Sequence, residues 1–292
     1  IRPDLSMTNP VTLFIVEGES RDLRFAKEMQ QCFMEPDDEV KIICLPAGQN
    51  IYMLYQKLAA DDFETDVVEV LRESVPAAAK SLTGISRDSV EQVYLFFDYD
   101  PHQNNVTDKD ADALVETMIS TFDNEHENGK LYISYPMVEA LYDYRAGQCQ
   151  SYSGCFIDIA DISAYKQISG EGNPNVGKHM EITQWKDSIA CFALRCKCLL
   201  DMEVVTFDLY REQVTVEALF NRERRLLHEK GKVFALSAFP EFLLDYFDIK
   251  FFKSMAPLRN LKYDKCPLIH SCYKHQTNCG KGPSCSYPAN RR

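Results

Sequence analysis

The sequence predicts an α/β protein with a mostly parallel sheet, and three observations carry that expectation. Strand-like runs in the first half are apolar on both faces. Helix-like runs separate them in regular alternation, and the alternation stops near residue 145, after which the pattern is mainly helical. Strands apolar on both faces and linked by helices belong to parallel sheets covered on both sides.

Taken in order, "VTLFIVEG" (11–18) reads as the first strand, and "SRDLRFAKEMQQCFM" (20–34) as a helix with Ser20 at its cap. "VKIICLP" (40–46) is the second strand and "NIYMLYQKLAADD" (50–62) a further helix. "VYLFFDYDP" (93–101) supplies a third strand, followed by a helix over "DKDADALVETMISTFDNE". "LYISYP" (131–136) is the fourth strand, with a helix expected over "MVEALYDYR". This half forms an open, Rossmann-like α/β unit. Beyond a Gly-, Ser- and Cys-containing connection, helices are expected around "ITQWKDSIACFALRCKCLLDM", "TVEALFNRERRLLHEKG" and "FPEFLLDYFDIKFF". The domains so defined are 7–145, α/β, and 146–292, mainly helical with a basic, Cys-rich tail.

At 292 residues, with 45% hydrophobic and 26% charged residues, the chain can bury a sizeable core and has the composition of a globular protein. No apolar run reaches the length of a spanning helix, and the polar opening "IRPDLSMTNP" lacks the apolar stretch of a secretory signal. The expectation is a cytoplasmic chain without membrane contact, for which an oligomeric state stays open. Eleven cysteines, an odd number, then read as mostly reduced thiols.

Charge is distributed unevenly. Residues 250–292 carry nine Lys and Arg against the single acid Asp264, which leaves the remainder strongly acidic within a total of −12. An acidic body with a basic tail is compatible with a nucleic-acid partner whose phosphates meet the tail; a solvated basic surface is the plainer alternative.

The chemistry concentrates at strand ends. Glu17 closes the first strand, Asp98 and Asp100 close the third, and Glu139 follows the fourth. Ligands of open α/β sheets bind beyond the carboxyl ends of the strands, so these acids are expected to meet at one edge. Like charges gathered there repel unless a hard divalent cation, Mg²⁺ or Mn²⁺, is bound through oxygen. Residues two apart on a strand share a face, which lets Asp98 and Asp100 address one metal region. Gly18 is expected to permit a sharp turn and close approach of a phosphate. Removing Glu17 from such a cluster is expected to leave the metal-free protein no less stable.

Strand–Glu–Gly followed about eighty residues later by strand–Asp–x–Asp ("VEGES" and "FFDYD"), inside alternating α/β elements, resembles the Toprim domain of topoisomerases, primases and overcoming-lysogenization-defect nucleases. The likeness covers about residues 11–145. It is closest to the free-standing Toprim-like nucleases of bacterial anti-phage defence, including the Toprim subunit of the PARIS system. The resemblance implies that Glu17, Asp98 and Asp100 hold Mg²⁺ or Mn²⁺ for phosphodiester cleavage in DNA or RNA. It also implies a separately encoded ATPase as partner, this chain having no phosphate-binding loop of its own. Catalytic residues are then Glu17, Asp98, Asp100 and Glu139. Where many such domains place an aspartate four residues after the glutamate, this chain has Arg21; Asp22 stands one step further and either completes the metal site or favours the helix N-terminus.

Other features are less specific. His102 follows the acidic pair and Lys130 precedes the fourth strand, each with an ordinary solvated alternative. The tail holds Cys266, Cys272, Cys279 and Cys285 with His270 and His275, donors suited to Zn²⁺. Their spacing lacks compact C-x-x-C pairs, so structural zinc, local disulfides and free thiols all stay open. Two rival functions remain: a haloacid-dehalogenase-like phosphatase, whose Asp–x–Asp belongs near the start of its fold, and a non-catalytic Toprim-scaffold interaction protein.

Overall fold

The computed structural model describes residues 10–46, 50–99, 108–143, 155–170 and 177–255. Strand β1 (Val11–Val16) is buried along nearly its whole length, as a central strand requires. It pairs in parallel with β2 (Glu39–Cys44) on one side and with β3 (Val90–Asp98) on the other. Strand β5 (Gly129–Ser134) follows β3 in the sheet, and the two-residue β4 (Asp123–Asn124) pairs with it antiparallel, giving the order β2-β1-β3-β5-β4. Phe14 explains why β1 holds the centre: its ring meets Tyr94 and Phe96 of β3 at 5.9 and 5.7 Å and is fully buried. Burial of an apolar side chain of this size contributes roughly 1.5–3 kcal/mol.

Helix α1 (Arg21–Phe33) links β1 to β2. Ser20 occupies its N-cap position as expected, but its side chain makes no capping hydrogen bond. Helix α2 (Ile51–Ala59) starts at Asn50, whose side chain accepts from the Met53 N–H at 3.0 Å. Two short helices follow that the sequence pattern did not announce, α3 (Val67–Ser74), capped by Asp66, and α4 (Pro76–Ser81), with proline in its first turn. Helix α5 (Asp108–Thr121) stands between β3 and β4. At Gly129, φ is +109° and a Cβ would lie 2.6 Å from Leu95 Cδ1, so the entry to β5 has room only for glycine.

The chain divides into two compact units. Among the described residues the first holds 10–98 and 108–133, and the second holds Tyr99 and 134–255. The division thus falls at the end of β5, about a dozen residues before the boundary expected at 145/146. The helix expected over "MVEALYDYR" is a 3-10 turn, Val138–Leu141.

The second unit is mainly helical around a two-stranded antiparallel ribbon of β6 (Phe156–Asp158) and β7 (Lys232–Phe234). Its helices are α6 (Tyr165–Ile168), α7 (Ile182–Leu199), α8 (Phe207–Gln213), α9 (Val216–Lys230), α10 (Ala238–Tyr246) and α11 (Ile249–Ser254). Helix α7 buries Trp185, Ile189, Phe192, Cys196 and Leu199, a three-to-four-residue spacing that makes one face apolar. Helix α9 runs from a Thr215 cap to Gly231, whose φ of +61° supplies the left-handed stop. The single helix expected over "FPEFLLDYFDIKFF" is two, because the Asp248 side chain caps Lys250 and Phe251 N–H groups and restarts the helix. No helix among the described residues is long and apolar enough to cross a membrane.

Candidate metal centre at the end of β1 and β3

The chain leaves β1 toward β2 on one side and later places β3 on the other side of β1. Between β1 and β3 the direction of winding therefore reverses, which is the point where open α/β sheets form a crevice at their carboxyl ends. Glu17 is the residue after β1, and Asp98 ends β3, so two of the expected acids lie on adjacent strands at that crevice.

The Glu17 carboxylate is anchored on both oxygens. Oε1 accepts the Ile51 N–H at 2.7 Å and Oε2 accepts the Asp98 N–H at 3.2 Å. Ile51 is the first residue of α2, so the acid also faces the positive end of a helix. Even so, the loss of hydration outweighs both hydrogen bonds and pushes the Glu17 carboxyl up to about 8, with the nearby Asp22 adding to the rise. The proton stays on Glu17 at neutral pH in the metal-free protein.

Asp22 belongs to this group. It lies in the first turn of α1 and is buried, 7% exposed, against the backbone of Gly18. A Cβ at Gly18 would stand 2.9 Å from Asp22 Cγ and would overlap its carboxylate. Among the glycines with left-handed backbone Gly18 is absent, so a sharp turn is not what requires it. The space over its Cα is taken by Asp22, not left open for a phosphate as the sequence suggests. Gly18→Ala is therefore expected to displace Asp22 and lower the Glu17 pKa. A measured carboxyl titration unchanged from wild type would contradict this packing.

Cys44, at the end of β2, is a neighbour that the sequence places only among structural thiols. Its Sγ donates to the Leu45 carbonyl at 3.3 Å and lies 3.8 Å from the Glu17 carbonyl. Burial, helped by Asp22 and Glu19, raises it to about 11, so it remains a thiol and not a nucleophile.

Glu139 is placed elsewhere: it belongs to the second unit, in the 3-10 turn Val138–Leu141, and is 1% exposed. Lys130 lies on β5 opposite Asp123. Asp100, His102, Cys266, Cys272, Cys279 and Cys285 fall outside the described residues. Among the described residues, no three His, Cys, Asp or Glu side chains come together in a metal-holding group. The donors present nevertheless fit a hard cation in kind: Glu17 and Asp22 are oxygen donors whose mutual repulsion has no cationic side chain among its causes. With both Glu17 oxygens already accepting backbone N–H groups, the expected harmless removal of this acid is corrected. Its loss leaves two N–H groups without their acceptor.

Compared with known proteins, the chain matches no family model, no curated protein and no solved structure.

Proposed function

We propose that this chain is a divalent-metal-dependent nuclease of Toprim type acting on DNA or RNA. The observation that supports it most is the position of Glu17 and Asp98 on adjacent parallel strands at the reversal of winding, with Asp22 buried beside Glu17. In this reading Glu17 and Asp98, with Asp100 two residues on, hold Mg²⁺ or Mn²⁺, and Asp22 shapes the charge around them. The cation would supply neutralisation of phosphate charge and activation of water. Ile51 and Asp98 N–H groups fix the Glu17 carboxylate so that it faces the crevice in one orientation. Glu139 and a structural Zn²⁺ in the Cys266–Cys285 tail remain part of the proposal on sequence grounds alone. So do a cytoplasmic defence role and a separately encoded ATPase.

The non-catalytic scaffold is the second reading, favoured by the two backbone hydrogen bonds that give Glu17 a structural task. Incubating the purified chain with Mg²⁺ or Mn²⁺ against plasmid, single-stranded DNA and total RNA separates them. Cleavage lost on chelation supports the nuclease; metal binding without cleavage of any substrate supports the scaffold.

The basic tail gives an independent check. Neutralising Lys262, Lys265, Lys274 and Lys281 together is expected to flatten the salt dependence of oligonucleotide binding, by about 0.7–0.9 in logarithmic slope for each phosphate that the tail no longer neutralises. Fluorescence anisotropy at several salt concentrations reads this directly. An unaltered slope assigns the tail to protein contact instead.

A further inference from the structure

We propose that the small cavity between α7 and the start of α10 binds a single monovalent anion of halide size. Ala140, Ser188, Cys191, Arg195, Ser237 and Pro240 line it, and its interior has room for about one water-sized particle. All of these residues belong to the second unit.

Arg195 is the reason to expect a charge there. It is buried, 6% exposed, and its guanidinium donates to neutral carbonyls: Nη1 to Ala235 O at 2.7 Å and Nη2 to Asp143 O at 2.5 Å. No ion pair joins it among the described residues, because the Asp143 carboxylate accepts the Tyr165 hydroxyl at 2.8 Å instead. The Nε–H of this cavity-lining side chain is buried without an acceptor. Ser237, 2% exposed, sits at the N-cap of α10 without capping it, and its Oγ is likewise buried without a partner. A buried cation that meets no counter-charge costs several kcal/mol.

The donors decide between an anion and a water. Both unsatisfied groups can donate, and the N-terminus of α10 adds positive potential that the buried Glu241 in its first turn reduces. A water accepting from Arg195 and Ser237 must place two hydrogens of its own against a wall of Ala140, Phe192, Pro240 and Cys191. The Ser188 hydroxyl offers a lone pair, its own proton being given to Leu141 O at 2.6 Å. A halide accepts every donor and needs no acceptor. Cys155 does not provide the missing charge, since burial keeps it a thiol.

The test is thermal unfolding of the full chain in chloride, bromide or gluconate at fixed ionic strength. Chloride and bromide are expected to raise Tm by about 2–6 °C over gluconate and to saturate. Ser237→Ala should keep the gluconate Tm and lose most of that rise. A crystal soaked in bromide should show an anomalous peak beside Arg195 Nε, which decides the matter even if the variant fails to fold. Equal Tm in all three salts, a rise that Ser237→Ala leaves whole, or a bromide-soaked crystal with no such peak overturns the proposal in favour of a water.

Discussion

Glu17→Ala is expected to reduce metal-dependent cleavage to background and, separately, to lower the stability of the metal-free protein by about 1–3 kcal/mol. Both effects come from the same carboxylate. The first follows from loss of a proposed cation ligand at the β1–β3 crevice. The second follows because the Ile51 and Asp98 N–H groups lose the acceptor that each has in Glu17. At neutral pH the side chain is protonated, so its removal relieves little repulsion to offset that loss. Glu17→Gln divides the two effects: the amide oxygen keeps one acceptor, so stability falls less, while cation binding is lost as fully. Denaturant unfolding and cleavage assays on both variants read them. Retained cleavage by either variant removes Glu17 from the metal site.

The second large effect is on pH. Binding of a cation to Glu17 must expel the proton held there, so Mn²⁺ affinity should rise about tenfold per pH unit up to about 8 and level off above it. The metal-free fold has the opposite trend. A carboxyl raised from 4.5 to about 8 on folding holds its proton more tightly in the folded chain, so its contribution to stability is full below 4.5 and is lost as pH rises toward 8. Buried Glu223, also raised, acts in the same direction, so only the difference between wild type and Glu17→Gln isolates Glu17. Calorimetric titration in two buffers of different ionisation heat counts the proton released. Binding with no proton released below pH 8 would place the cation away from Glu17.

Much of the first unit was legible because hydrophobicity alone specifies it. β1 and β3 are apolar on both faces in sequence and buried in the fold, and the acids at their ends were visible as interruptions of those runs. Strand order was not legible: nothing local in "VTLFIV" says that β3, and not only β2, will lie beside it. The anchoring of Glu17 was hidden for the same reason, since Ile51 is remote in sequence and contributes only a backbone N–H. Asp22 has two readings in sequence, and its packing over Gly18 resolves it into the group. Short helices failed for a different cause. α3 and α4 hold too few turns to show a periodic stripe, and the break at Phe247 depends on a cap that competes locally with continued helix.

The two parallel partners of β1 differ in what it takes to bring them there. Val16 pairs with Cys44 about 28 residues away but with Phe96 about 80 residues away. Closing the longer loop costs about 1 kcal/mol more in chain entropy, and contacts across greater sequence separation are made later on average. β1 and β2 with α1 are thus expected to nucleate, and β3 to dock onto them afterwards. Since Asp98 reaches Glu17 only when β3 docks, the acidic crevice is absent from the nascent chain and from early collapsed states. Substitutions within β1 and β2 should slow refolding, whereas those at the β3 end should chiefly speed unfolding. The charged centre is then the last part of its sheet to be assembled and the first to come apart.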